Sequence, residues 1–325
     1  MIIGNKKISK KSQPFIIAEI GLNHNGLIKN ATRMIDYAAD ANCSAVKFQT
    51  IDVDEALIPN TPLAKYQKKI NNTKNMNNLI KKYNFSFEKF SFLKKYCDNK
   101  KILFLSTPFD FKSAIFLNYL KLKAFKISSG DNDNYPLLSL IKNFKKPLII
   151  STGMSLNSEI KKMLNFLNLS RNKLSLLHCI SDYPTRIKET QLKNIQELSK
   201  FGYNVGFSDH TIGEVSSYLA VSNGASIIEK HITLDRNMEG PDHKVSLECK
   251  YLKNFVNNLN EVKNVFLEDR KRFLTEGEKS NLIKAKKSIY FKNNLKKNSL
   301  IKKSNLKFAR PRSNGLSPSL YNKIG

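Results

Sequence analysis

The histidines of this sequence lie where their side chains could meet at one edge of a β-sheet. All five lie at or shortly after apolar runs typical of β-strands: His24, His178, His210, His231 and His243. His210 and His231 end consecutive runs, so they would be neighbours in a sheet. Two adjacent imidazoles can bind one divalent cation and leave positions open for substrate and water. The alternative is that each histidine is a hydrogen-bonded residue at the rim of the sheet.

Two lysines lie inside the apolar runs, where an isolated charge is costly. Lys47 and Lys126 would need anionic partners if they are buried. They therefore indicate either a bound anion, such as phosphate or carboxylate, or structural ion pairs. Glu19, Asp131 and Glu229 could form such pairs. Glu19 and Glu229 are also candidates for acid–base catalysis.

Small polar residues follow two of the runs. Ser129-Gly130 and Ser151-Thr152-Gly153 offer hydroxyl and backbone N–H donors, which suit a phosphate. Further along, the segment GPDHK could be no more than a turn. Asp242 in that segment is also a candidate ligand for sugar hydroxyls.

The elements that would position these residues alternate between strand and helix. The strand candidates are 15–20, 44–49, 102–107, 124–129, 147–152, 174–179, 204–209 and 225–231. Most lack polar alternation, as expected for strands buried on both faces, and amphipathic stretches separate them. Eight such units predict an α/β fold, a (β/α)8 TIM barrel. A doubly wound sheet is the alternative, which the lack of GxGxxG after the first strand disfavours.

The sequence divides into three parts by pattern. Residues 1–270 hold the barrel, 271–283 form a polar linker, and 284–325 form a small β-rich module that is too short to be stable alone. The long connection from Thr50 to Lys101 is expected to add a loop that covers the substrate.

The composition and charge indicate where the protein is located and which kinds of partner it is expected to have. The 325 residues carry 55 Lys+Arg and 27 Asp+Glu, a net charge of +28, and no apolar stretch suggests a membrane span or a signal peptide. The four cysteines have no metal or redox spacing, so we expect a reducing, cytoplasmic location. The charge would also fit a polyanion-binding protein, but lysines are scattered and no nucleic-acid-binding motif is present. No nucleic-acid or membrane partner is therefore expected.

A series of motifs resembles one family. The motifs are AEIGLNHNG (18–26), VKFQT (46–50), STPFD (106–110), KISSGD (126–131), STGMS (151–155), HCISDYPT (178–185), GFSDHT (206–211) and EKHITLDRNMEGPDHK (229–244). Together they resemble the sialic acid synthases, which include neuraminate, legionaminate and pseudaminate synthases. The tail from Ser288 resembles the antifreeze-like (SAF) domain of those enzymes.

The resemblance implies a reaction and residue roles. The family condenses phosphoenolpyruvate with an N-acetylated hexose aldehyde to give a nine-carbon 2-keto acid and phosphate. By this resemblance, the ligands of Mn²⁺ or Mg²⁺ are His210 and His231, and the catalytic residues are Glu19, Glu229 and Lys47. The implied phosphoenolpyruvate site comprises Lys47, Thr107, Lys126, Ser129, Ser151 and Ser208. The implied sugar site comprises Gln49, Tyr183, Asp242 and Arg310.

The resemblance further implies a domain-swapped homodimer, in which Arg310 reaches the partner's sugar site. Some positions depart from the family pattern: Ser181 replaces a frequent Asn, and Lys297-Asn298 and Arg310-Pro311-Arg312 each lack a glycine. The segment GPDHKVSLE favours a neuraminate or legionaminate substrate over a pseudaminate one, without separating the first two. The alternatives are a pseudaminate synthase, another phosphoenolpyruvate-condensing sugar-acid synthase, and an inactive carbohydrate-binding homologue.

Overall fold

Each predicted apolar run forms a strand in the computed structural model, which describes residues 1–64, 73–266, 271–312 and 315–324. The strands are β1 (Phe15–Gly21), β2 (Ala45–Thr50), β3 (Leu103–Pro108), β4 (Phe125–Ile127), β5 (Leu148–Ser151), β6 (Leu174–Cys179), β7 (Asn204–Asp209) and β8 (Ile227–Thr233). The helices that follow them are α1 (Ile28–Asp40), α2 (Phe87–Asn99), α3 (Phe111–Tyr119), α4 (Tyr135–Asn143), α5 (Asn157–Leu167), α6 (Asn194–Ser199), α7 (Val215–Ser222) and α8 (Leu252–Phe266).

The strands form a nearly closed parallel barrel. Their order is β3-β2-β1-β8-β7-β6-β5-β4, and β3 also contacts β4. The first strand therefore pairs with the last, with His231 of β8 beside Glu19 of β1. This pairing confirms the predicted (β/α)8 barrel over a doubly wound sheet. None of the helices in the described ranges is both long and apolar enough to cross a lipid bilayer.

The strands are apolar on both faces because each face meets a different core. Outward-facing side chains pack against the surrounding helices, as Ile16, Val46 and Leu176 do. Inward-facing side chains fill the barrel, including Ile17, Leu105, Ile149, Leu177 and Ile227, and Ile3 and Ile8 of the N-terminal segment pack against them. The inner space is tight at β7, since a Cβ on Gly206 would lie 2.5 Å from the carbonyl oxygen of Ile227.

In the described part of the long connection between β2 and α2 there are two additional helices, Val53–Ala56 and Met76–Tyr83. Asp52 caps the first through the backbone N–H of Glu55, and Asn75 caps the second through that of Asn78. Residues 65–72, which belong to this predicted loop, lie outside the described residues.

The chain divides into two compact units, Met1–Glu268 and Asp269–Gly325. The described part of the second unit contains an antiparallel pair of strands, Ser288–Phe291 with Leu306–Ala309, and two short 3-10 helices, Lys303–Asn305 and Pro318–Lys323. The segment assigned to the linker, 271–283, contains most of a helix, Glu276–Ala285. That helix begins with a capping box, in which Thr275 and Glu278 satisfy each other's backbone N–H groups. The assignment of this unit to the SAF class stays a prediction.

Candidate active site

The polar side chains inside the barrel form a layer next to its apolar core, on the side of the carboxyl ends of the strands. Because alternate residues of a strand share a face, the residue two positions after each inner core residue also points inward. Ile17 is thus followed by Glu19, Ala45 by Lys47, and Ile227 by Glu229. The same step places Thr107, Lys126, Ser151 and Cys179 in this layer. These side chains line a cavity of about 440 Å³ at the carboxyl ends of the strands.

Two buried lysines and two buried glutamates form a charge network in this cavity. The Lys47 Nζ lies 2.8 Å from Glu19 Oε2 and 3.7 Å from Glu229 Oε2. The Lys126 Nζ lies 3.7 Å from Glu229 Oε1 and donates to the Ser151 hydroxyl at 2.7 Å. The lysines are therefore ion-paired and also line the cavity. The two interpretations of the lysines, anion site and ion pairs, are thus compatible.

The network gives the two glutamates opposite acidities. Burial raises the pKa of Glu19 to about 7, although nearby Lys47 opposes this shift. Burial would also raise the pKa of Glu229, but Lys126 and Lys47 outweigh burial and hold it at about 2. A pair of carboxyl groups with separated acidities can supply one group that exchanges a proton near neutral pH and one that stays anionic.

His210 and His231 lie side by side in the cavity, with ring centroids 5.6 Å apart. The Nδ1 of His210 lies 2.8 Å from the carbonyl oxygen of Ile180, which leaves Nε2 available as a ligand atom. The Nδ1 of His231 is buried and has no hydrogen-bond partner in the described part of the chain. Burial and the neighbouring His210 lower the pKa of His231, so this imidazole is neutral, as metal binding requires.

These two histidines fit a divalent cation that completes its coordination with substrate and water. No group of three or more His, Cys, Asp or Glu side chains within the described ranges could hold a metal. A two-histidine site leaves more positions open than a structural site does. The residues that would hold the predicted Mn²⁺ or Mg²⁺ are therefore His210 and His231.

Other predicted binding residues surround the same cavity. Gln49, Thr107, Ser129, Tyr183 and Ser208 all line it. The Ser208 hydroxyl donates to Glu229 at 2.8 Å, and the Tyr183 ring packs 4.0 Å from that of His210.

Two of the predicted sugar-binding residues lie elsewhere. Asp242 lines an adjoining cavity of about 390 Å³. Arg310 lies in the second unit, directly after the strand Leu306–Ala309, and its place in the sugar site stays a prediction.

The remaining histidines have structural partners. His24 is stacked on Phe85 at 3.8 Å, and its Nδ1 accepts a hydrogen bond from the N–H of Gly26. The Nε2 of His178 lies 2.7 Å from the carbonyl oxygen of Thr190. His243 lies between the Thr233 hydroxyl at 2.7 Å and Asn25 Oδ1 at 3.0 Å. For these three residues the rim interpretation is correct, and strand-end position alone does not distinguish them from His210 and His231.

We expect buried His24 to make stability depend on pH. Burial, with Lys89 and His243 adding to it, lowers the pKa of His24 to about 3. In the unfolded chain His24 binds its proton near pH 6.5. The contribution of the neutral, buried His24 to the free energy of unfolding is therefore full above that pH and is lost as the pH falls toward 3. Between pH 7 and pH 4, the free energy of unfolding of His24→Gln should fall by roughly 2–4 kcal/mol less than that of the unmodified protein. Urea unfolding at pH 7 and pH 4 measures this difference.

Leu164→Ala is the matched control, because it removes buried apolar contacts of α5 and no titratable group. It should lower stability at both pH values and keep the pH dependence of the unmodified protein. Equal pH dependence in His24→Gln and the unmodified protein would contradict the assignment.

Several cavity residues were not identified from the sequence. Cys179, Met76 and Phe109 line the cavity of about 440 Å³, here called the inner cavity. Met76 and Phe109 also line the adjoining cavity of about 390 Å³, the outer cavity. Cys179 ends β6 two residues after Leu177, so strand alternation could have identified it. Met76 belongs to the long connection, whose apolar residues gave no sign of the face they would present.

The fold and the site together define a (β/α)8-barrel enzyme whose cavity can hold an anion next to a histidine pair. The model of the NeuB family matches residues 34–271, and the chain belongs to this family. This match confirms the resemblance drawn from the motifs.

Relatives and a solved structure extend the similarity over nearly the whole chain. The N,N'-diacetyllegionaminic acid synthase of Campylobacter jejuni is 38% identical over 95% of this chain and 93% of its own. The pseudaminic acid synthase of the same species is 34% identical over 100% of this chain and 94% of its own. The N-acetylneuraminic acid synthetase structure from Leptospira borgpetersenii has a TM-score of 0.76 and 34% identity, with 87% of this chain and 94% of that chain covered.

Proposed function

We propose that this protein condenses phosphoenolpyruvate with the open-chain form of an N-acetylated hexose and water, giving a nine-carbon 2-keto acid and phosphate. The observation that carries the proposal is a single cavity in which two lysines lie beside two histidines and two glutamates. An anionic substrate and an aldehyde could therefore be bound next to each other. Family membership and the synthases among its relatives support the same reaction.

The lysine side of the cavity suits phosphoenolpyruvate. Lys47 and Lys126 supply the positive charge, and hydroxyl donors surround them on the neighbouring strands. The Thr107 Oγ1 lies 3.2 Å from Lys47 Nζ, and the Ser129 Oγ accepts the N–H of Gly153 at 3.0 Å. Phosphoenolpyruvate bound here would exchange the lysine–glutamate contacts for contacts of the lysines with its phosphate and carboxylate groups.

The histidine side suits the aldehyde. A divalent cation held by His210 and His231 would act as a Lewis acid toward the aldehyde oxygen. Tyr183 and Gln49 line the cavity beside these histidines, where they can orient the sugar chain. The Gln49 Nε2 donates to Glu19 Oε1 at 3.4 Å, which links the sugar-binding wall to the proton-handling carboxyl group.

The proposed reaction balances with these groups. C3 of phosphoenolpyruvate forms a bond to the aldehyde carbon, and the aldehyde oxygen takes a proton. Water adds to C2 and loses its protons as the bond from C2 to the phosphate oxygen breaks, which leaves a keto group and inorganic phosphate. Glu19, with its pKa of about 7, can pass one proton of the water to the aldehyde oxygen and the other to the leaving phosphate, while Glu229 stays anionic in the same cavity.

We further propose that the protein acts as a homodimer with the second unit as a SAF-type cap. In this arrangement Arg310 of one copy would contact the sugar bound by the other. The exposed position of Arg310 and the separate compact unit that carries it support this assignment.

Phosphate release from phosphoenolpyruvate tests the proposed reaction directly. The purified protein should release phosphate with Mn²⁺ and either N-acetylmannosamine or 2,4-diacetamido-2,4,6-trideoxymannose. Release should stop without sugar and with EDTA, and mass spectrometry should detect a nine-carbon acid. If no N-acetylated hexose supports release, the altro isomer of the trideoxy sugar included, the proposed reaction is wrong.

A further inference from the structure

The barrel carries different charges at its two ends. We call the surface at the amino ends of the strands the amino-end face. It comprises residues 1–14, 41–44, 100–102, 120–124, 144–147, 168–173, 200–203 and 223–226. These residues, all of which the structure describes, include thirteen Lys and Arg and no Asp or Glu. The described connections at the opposite, carboxyl end contain nine Lys and Arg and thirteen Asp and Glu.

The cations of the amino-end face are available to an outside partner. All of them are exposed except Lys146, which is half-buried. Among the described residues, two of the thirteen form ion pairs, Lys100 with Asp36 and Lys200 with Glu197. The remaining positive charge therefore faces solvent without a carboxylate partner in the described part of the chain.

A short hairpin closes the amino end of the barrel at the centre of this face. Its strands, Ile2–Ile3 and Lys6–Lys7, pair antiparallel. Ile3 packs into the apolar core inside the barrel, and a Cβ on Gly4 of the turn would lie 2.9 Å from Leu103 at the start of β3. The consecutive loops before β3, β4, β5 and β6 each carry two cations, so they form a continuous arc of positive charge around the hairpin.

Two exposed apolar side chains lie among these cations. Ile2 of the hairpin is 62% exposed, and Tyr119, which ends α3 beside the loop 120–124, is 80% exposed. Contacts with nucleic-acid phosphates gain little from such side chains. At a bilayer surface they enter between the lipid head groups while lysines contact anionic head groups, so both kinds of residue contribute to binding.

We propose that the amino-end face is a docking surface for a lipid bilayer that contains anionic lipids. In this orientation the cavity at the carboxyl ends of the strands faces away from the bilayer, and substrates reach it from solution. Along the sequence these cations are far apart, and the expectation of no membrane partner depended on that spacing. The barrel gathers them on one surface.

Helix dipoles account for only part of this charge. The loops of the amino-end face follow the carboxyl ends of helices, where a lysine stabilises the helix. The four lysines of residues 1–14 lie at no helix end, so that explanation does not apply to them.

Sedimentation with lipid vesicles tests the proposal on the full chain. The protein should bind vesicles of equal parts phosphatidylglycerol and phosphatidylcholine, and high salt, which screens exposed charges, should release it. The variant Lys6→Glu/Lys11→Glu/Lys123→Glu/Lys173→Glu should bind at least ~10²-fold more weakly, because each lysine near an anionic surface contributes about 5-fold. Its phosphate release should be unchanged. Absence of binding by the unmodified protein, or equal binding to pure phosphatidylcholine, would overturn the proposal.

A matched variant separates this face from the overall charge of the protein. Lys292→Glu/Lys296→Glu/Lys297→Glu/Lys307→Glu makes the same change of charge at exposed lysines of the second unit, which is also basic. This variant should bind the anionic vesicles within a few-fold of the unmodified protein. An equal loss in both variants would show a general attraction of a basic protein and overturn the inference.

The apolar side chains distinguish a bilayer from a nucleic acid. Ile2→Ser/Tyr119→Ser leaves the charge unchanged and should weaken vesicle binding by roughly 5–10-fold, while the affinity for a DNA duplex stays the same. Ile58→Ser/Leu156→Ser, at exposed apolar residues of the carboxyl end, is the control and should leave vesicle binding unchanged. Unchanged vesicle binding in the first variant, or binding of the unmodified protein to the DNA duplex and not to vesicles, would contradict the proposal.

Discussion

Replacing His231 by alanine is expected to lower phosphate release at least ~10²–10³-fold, the loss typical of removing one group that stabilises developing negative charge. His231 presents a neutral, buried Nδ1 with no hydrogen-bond partner in the described part of the chain, beside the ring of His210. The variant would leave His210 as the one histidine in the described lining of the proposed metal site. Removal of metal by a chelator should have the same effect on the unmodified protein, and added Mn²⁺ should restore its activity.

Measurements of metal binding and of folding distinguish a metal-binding role of His231 from a purely structural role. Calorimetric titration with Mn²⁺ should show binding to the unmodified protein and little or none to His231→Ala, while the circular dichroism spectra agree. His178→Gln is the matched control, because His178 also ends a strand but bonds the carbonyl oxygen of Thr190 and lies outside the described lining of the inner cavity. Full activity or undiminished Mn²⁺ binding in His231→Ala would exclude the metal role.

Lys47→Met is expected to damage both stability and activity. It removes the cation that lies 2.8 Å from Glu19 and 3.7 Å from Glu229, so the carboxylate of Glu229 loses one of its two lysine partners and the pKa of Glu19, already about 7, rises further. Breaking a buried ion pair on one side costs about 3–5 kcal/mol, so the free energy of unfolding should fall by that order. Phosphoenolpyruvate binding should become undetectable, since one of the two ammonium groups of its site is lost.

The double variant Lys47→Met/Glu19→Gln separates the two effects. Because the double variant has no ionisable group at position 19, most of the stability should return, while activity stays at least ~10²-fold below that of the unmodified protein. Recovery of activity together with stability would show that the pair is only structural. Denaturant unfolding and the initial rate of phosphate release measure the two quantities.

A second buried ion pair offers a matched comparison. The Lys230 Nζ lies 3.0 Å from Asp209 Oδ2, and both side chains are as inaccessible as the first pair. It lies outside the described lining of the inner cavity. Lys230→Met should therefore lower stability by a similar amount, yet keep the affinity for phosphoenolpyruvate within a few-fold.

Much of the fold could be predicted from the sequence, because it depends on local patterns. The eight apolar runs mark strands that are buried on both faces, and each strand lies within two residues of its predicted bounds. Lys47 and Lys126 were identifiable as unusual because a lysine inside such a run must find an anion. The neighbouring positions of His210 and His231 followed from the order of consecutive parallel strands.

Other features depend on contacts between distant parts of the chain, and only the tertiary structure decided them. His243 is hydrogen-bonded to Asn25, 218 residues away, whereas the Nδ1 of His231, at a similar strand end, has no hydrogen-bond partner among the described residues. The outer cavity arises where the connection after β2 folds over the barrel. Burial and periodicity act on neighbouring residues and can be seen in the sequence. Hydrogen-bond partners and cavity walls are set by strand register and barrel closure, which join residues that the sequence keeps far apart.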